Sequence, residues 1–169
     1  MTEDDAAHWT AVEEATELLH EERYREAMQE LRAALDRDPR NPYAFYFLGV
    51  AFFEVGEIEP ARDAYEACLR IAPTHLGARI ALSHVLRMLG DIRGAIREGL
   101  DALSRAPGDP DALYAVGIAY HAYGDDAAAR KYLEAFVATH PEFEVELETR
   151  ALLDTIPGGP VPKKDDDDD

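Results

Sequence analysis

The chain is poor in the groups on which covalent chemistry is built. Among its 169 residues there is one cysteine, Cys68, so no intrachain disulfide can form. A thiol at an alanine-like position of an apolar helical face reads as packing, because a reactive thiol needs an exposed, electropositive setting. Serines are few: Ser83 and Ser104 both fall inside helical patterns. No glycine-rich phosphate loop, His-Glu-x-x-His or Cys-x-x-Cys occurs. The six histidines, His8, His20, His75, His84, His121 and His140, include no pair four residues apart. His84 and His121 fall on neighbouring helices, but two ligands are fewer than zinc normally takes. These absences lead us to expect no catalysis, no metal and no cofactor.

Positive charge is also scarce. Lys and Arg total 17 against 35 Asp and Glu, for a net charge of −18. The last thirteen residues carry two Lys and five Asp, which leaves −15 on the rest. Such a chain is expected to bind neither nucleic acid nor anionic membrane, since both need basic residues. No uncharged run approaches the roughly 20 residues that span a bilayer; the longest, Asn41–Phe53 and Ala112–Gly124, read as helices. The start, MTEDDAAHW, is acidic and lacks the apolar core of a secretory leader. Together with the single cysteine this sets the expected localisation as cytoplasmic.

What the chain does have is a period. Pro39, Pro73, Pro107 and Pro141 recur every 34 residues, as do Ala27, Ala61, Ala95 and Ala129, and Gly56, Gly90 and Gly124. A unit that recurs this way buries its apolar face by stacking on its own copies. In residues 42–75, Phe45, Leu48, Gly49 and Phe52 share one helical face. Gly56 closes that helix, Pro60 opens the next, and Ala61, Tyr65, Cys68 and Leu69 line its face before Pro73 stops it. The unit is helix–turn–helix. Small residues at Gly49, Ala61, Gly117 and Ala129 admit close helix approach, and large ones at Phe45, Phe52, Tyr65 and Tyr120 fill the space between.

Length and signature resemble the tetratricopeptide repeat (TPR). Residues 110–143 repeat the pattern with Leu113, Val116, Gly117, Tyr120, Gly124, Ala129, Leu133, Phe136 and Pro141. Residues 76–109 are looser, with Arg79 in place of a bulky apolar residue and Gly99 in place of an aromatic. In residues 8–41, Glu14 and Glu22 replace the leucine and the turn glycine, while Ala27, Leu31, Ala34 and Pro39 keep the second helix in register. The resemblance implies an all-α TPR solenoid of four repeats, 8–41, 42–75, 76–109 and 110–143, wound as a right-handed superhelix. A capping helix is expected over 142–156, with Phe143, Leu147, Ala151 and Leu152 on its packing face, which makes nine helices. Residues 1–7 are expected to be a flexible N-terminus and residues 157–169 a disordered acidic tail.

The first helices carry more apolar surface than one packing face needs. Tyr43, Tyr46, Val50 and Phe53 form a second stripe on the first helix of the second unit. Ile80, His84 and Arg87 stand correspondingly in the third, and Tyr114, Ile118 and His121 in the fourth. The resemblance places these ten residues along a concave groove that receives peptides or helices. It implies a non-enzymatic adaptor for an apolar or aromatic peptide, with a protein or peptide ligand as partner. A carboxylate clamp is not expected, since Arg87 is the groove's one cation. Trp9 folding over the groove is a further way to cover it. Two rival readings remain: a self-assembling homo-oligomeric scaffold that inserts its degenerate first repeat into a neighbour, and a chaperone of the type III secretion kind, which the acidity and the C-terminal segment resemble.

Overall fold

The structure, a computed structural model, describes residues 2–159. Among them are ten α-helices and no strand. The run is α1 Glu3–Thr10, α2 Glu13–His20, α3 Tyr24–Arg37, α4 Pro42–Glu54, α5 Ile58–Ile71, α6 Leu76–Met88, α7 Ile92–Arg105, α8 Pro110–Tyr123, α9 Asp126–Val137 and α10 Phe143–Thr155. Helices α2/α3, α4/α5, α6/α7 and α8/α9 are antiparallel pairs, each packed on the next, and α10 packs on α9. The acidic run Asp165–Asp169, expected as part of the disordered tail, lies outside the described residues.

Side chains recurring at the period set the helix starts. Asn41, His75 and Asp109 each accept the amide of the residue three further on, capping α4, α6 and α8. Asp91 and Asp125 cap α7 and α9 in the same manner. The turns between paired helices need a left-handed residue: Gly56, Gly90 and Gly124 stand at φ +80°, +86° and +89°. In the first pair Glu22 holds this place at φ +59°, a conformation that L side chains adopt at a cost.

Each first helix has two packing faces. One meets the preceding pair through Ala44 and Ala51 on α4, Ala78 and Val85 on α6, and Ala112, Ala115 and Ala119 on α8, all fully or almost fully buried. The other meets its own second helix at a small residue. A methyl group on Gly49 would strike the Tyr65 ring at 2.5 Å, and one on Gly117 would strike Leu133 at 2.7 Å. The looser third unit reverses the sizes: buried Ser83 takes the glycine's place, donates to the Ala95 carbonyl at 2.7 Å, and faces Gly99 where the others carry Tyr65 or Leu133. Arg79, the other departure there, lies mostly buried and pairs with Glu98 and Asp101 at 2.7 and 2.8 Å. Its charge is thereby met by two carboxylates of α7.

Two expectations are corrected. Residues 3–7 of the expected N-terminal lead are helical. They belong to α1, the tenth helix, started by a capping box in which the Asp5 amide donates to Thr2 Oγ1 and the Thr2 amide to the Asp5 carboxylate. The cap helix α10 is turned away from its expected face. Thr149, Leu153 and Ile156 are buried against α9 and Leu152, alone of the expected face, joins them half-buried, while Phe143 and Leu147 are 78% and 58% exposed and Ala151 is exposed. Arg130 of α9 meets this side of α10, donating to the carbonyls of Leu153 (2.8 Å) and Ile156 (2.5 Å) at its end.

Candidate functional site

The groove residues gather around two aromatic knots. In the first, the Tyr46 ring lies 4.7 Å from His75 and 5.1 Å from Phe47, and Tyr43 sits 6.1 Å from His75. A methyl group on Gly77 would meet the Tyr46 hydroxyl at 3.2 Å, so Tyr46 reaches from α4 to the start of α6. It is a wedge between repeats as much as a groove surface, and burial pushes its hydroxyl pKa above the ordinary value. Trp9 of α1 rests edge-on against Tyr43 at 5.6 Å and Phe47 at 5.9 Å. In the second knot His84 of α6 lies 6.3 Å from Tyr114 of α8, which in turn packs 5.1 Å from Phe136.

The remaining groove residues join the stack to different degrees. Val50 and Phe53 are half-buried against the cluster of Leu82, Val85 and Leu86. Ile118 is half-buried against the cluster of Leu113, Leu133 and Phe136. Ile80 is buried with Ala102, Ala112 and Ala115, so it is more core than surface. His121 is the one exposed member.

Two polar groups stand among these apolar ones. His84 is largely enclosed; burial, assisted by the nearby Arg87 charge, draws its pKa down to about 4, so the ring is neutral at physiological pH. Arg87 is half-buried and its Nε is buried without a hydrogen-bond partner. It enters none of the ion pairs among the described residues. A half-buried guanidinium outside any ion pair can take an acceptor from water or from a ligand. Among the described residues no group of three or more His, Cys, Asp or Glu is placed to hold a metal ion. Cys68 is buried, and desolvation raises its thiol pKa to about 12.

His75, Phe47 and Phe136 escape the sequence reading of the site. His75 was legible: it stands in register with the helix caps Asn41 and Asp109, so its ring had to lie where α6 meets the repeat before it.

The repeats, their caps and the paired faces agree with a known pattern. The tetratricopeptide repeat model matches residues 12–75 and again 80–142. The chain belongs to the tetratricopeptide repeat family. Solved TPR structures superpose on most of it. MamA from Desulfovibrio magneticus RS-1 (residues 41 to its end) matches with a TM-score of 0.74 at 19% identity, covering 90% of this chain and 83% of that one. YrrB, a TPR protein with an unusual peptide-binding site, matches with 0.72 at 20% identity, covering 87% and 74%. TTC0263, a thermophilic TPR protein in Thermus thermophilus, matches with 0.69 at 22% identity, covering 86% and 79%. No curated protein matches the chain. At these identities the likeness is one of fold: an all-α TPR solenoid of four repeats in a right-handed superhelix with a capping helix. A TPR solenoid is a scaffold for protein–protein interaction. Among the described residues no helix is long and apolar enough to cross a membrane.

Proposed function

We propose that this TPR protein is a non-enzymatic, cytoplasmic adaptor that binds an apolar or aromatic peptide or helix along its first helices. The observation that carries this reading is the band of half-buried apolar side chains on two first helices, Tyr43, Val50 and Phe53 on α4 and Tyr114 and Ile118 on α8, with unpaired Arg87 on α6 between them. Each of these side chains packs on the stack with one side and leaves the rest of its surface open to a ligand. The ligand would cover the rings and methyl groups, with Arg87 and neutral His84 reading a hydrogen-bonding group within the apolar segment.

Tyr46 and Tyr114 are poor probes of binding because both pack against neighbouring helices. Val50→Lys with Ile118→Lys is the better pair, since a lysine at a half-exposed helical position can extend its ammonium to solvent. Affinity capture with wild type and variant, followed by titration of the recovered partner, is expected to show affinity weakened about tenfold or more in the variant. Helicity and melting should stay close to wild type. Equal affinity in the two proteins, with both folded, would sink the reading.

Self-assembly is the second reading, favoured by α1. That helix has no buried residue and is held by Trp9, by His8 Nε2 at 2.6 Å from Asp38, and by Asn41 Nδ2 donating to the His8 carbonyl at 2.8 Å. Such an attachment can form between copies as well as within one. Recovery of the protein itself as the groove-dependent prey would support it.

A further inference from the structure

We infer a second interaction surface on α10, formed by Phe143, Leu147 and Ala151 and shaped for a basic amphipathic helix of a partner protein. Residues 49, 83 and 117 are the small residues on which each repeat seats its own second helix: Tyr65 over Gly49, Gly99 beside Ser83, Leu133 over Gly117. Ala15 and Leu31, buried together, hold the same places in the first repeat. Thirty-four residues after Gly117 comes Ala151, which is exposed, and after Leu113 comes Leu147, 58% exposed. Helix α10 therefore keeps both faces of a first helix. Its Thr149, Leu153 and Ile156 face is filled by α9, and among the described residues no second helix lies on its other face. Phe143, 78% exposed, extends that open face by one turn.

The polar residues around the face select its occupant. From Glu142 to Thr155 there are five acids, Glu142, Glu144, Glu146, Glu148 and Asp154, against one arginine. Arg150 is already neutralised by Glu146 at 2.7 Å. Arg150 and Asp154 stand where the preceding repeat has Val116 and Tyr120, so a wholly apolar helix would strand charge here. A helix with an apolar stripe and basic flanks would seat its large side chains on Leu147 and Ala151 and pair its cations with the glutamates. A second copy of this acidic chain would bring like charge to the same place. Residues 157–169 offer only Val161 as a large apolar side chain and are broken by Pro157, Pro160 and Pro162.

The test uses the full chain and a fluorescent synthetic helix of roughly 14 residues, about four turns, with leucines on one face and lysines beside them. Its controls are a scrambled peptide of the same composition and a peptide with glutamates replacing the lysines. Anisotropy titration is expected to show binding of the lysine peptide alone. Affinity should fall about tenfold or more in Phe143→Ser/Leu147→Ser, whose substituted side chains are exposed and leave the fold intact by circular dichroism. It should fall also in Glu144→Lys/Glu148→Lys, and persist in the groove variant Val50→Lys/Ile118→Lys. Equal binding of the scrambled or the glutamate peptide overturns the proposal, as does full binding by the serine variant. A wild-type dimer in sedimentation that the serine variant dissolves would give the face to a second copy and overturn it too.

Discussion

At the scale of single residues, the repeat supplies its own controls, because position i can be compared with i+34. Glu22 is the clearest misfit: it holds at φ +59° the turn that Gly56, Gly90 and Gly124 form freely. Glu22→Gly should relieve about 1–2 kcal/mol of left-handed strain, offset in part by the entropy of the glycine in the unfolded chain. A net gain of about 1 kcal/mol, read as a rise of about 3 °C in Tm, is expected. No rise in a thermal melt would mean the turn is already relaxed. His84 makes a second residue-level case. Its folded pKa is depressed to about 4 from an unfolded value near 6.5, so the native state prefers the neutral ring. Stability from this source is fully present above about pH 6.5 and is lost as pH falls toward 4, approaching roughly 3 kcal/mol. His84→Phe should flatten the fall in urea midpoint between pH 7.5 and pH 5. If variant and wild type lose the same amount, His84 is not the group responsible.

At the scale of elements, what the sequence made legible was the period, and what it hid lay at the two ends. The four helix pairs could be read because Gly49 with Tyr65 and Gly117 with Leu133 repeat a close helix approach. Helix α10 was found but turned the wrong way. Leu147 and Ala151 are in register with Leu113 and Gly117, so they read as packing residues, yet among the described residues the helix they would pack against does not follow. The face that packs is in register with Ala115 and Ala119, whose small side chains give little periodic signal. Helix α1 was missed because it has no apolar stripe; its one signal was the Thr2 and Asp5 cap. For the groove, the positions were legible but their depth was not: Ile80 and Tyr46 go into the stack because Ala102, Ala112 and Gly77 beside them are small. The Arg130 contact gives the rotation of α10 a direct check. Arg130→Met removes two bonds to carbonyls at the end of α10 and should loosen that helix by about 1–3 kcal/mol. Hydrogen exchange should quicken at Thr149–Ile156 and leave α4–α7 unchanged; uniform protection along the chain would show that apolar packing alone sets the rotation.

At the scale of the whole molecule, contacts run almost entirely between successive helices, with α6 also meeting α8 and the start of the chain reaching α4. Among the described residues no segment closes the array by joining its first repeat to its last. Stability in such an array is a sum of units and of the interfaces between them. The acidity belongs to this scale too: −15 spread over residues 1–156 sets like charge against like, and any contact between copies has to outweigh that repulsion. The lack of closure has a mechanical side. Drawn from its two ends, a molecule joined only rung to rung can open one rung at a time, because each interface holds only its neighbours. A partner spanning several first helices would act as a splint along this spring. The grip of any such partner would then depend on how far the spring is stretched.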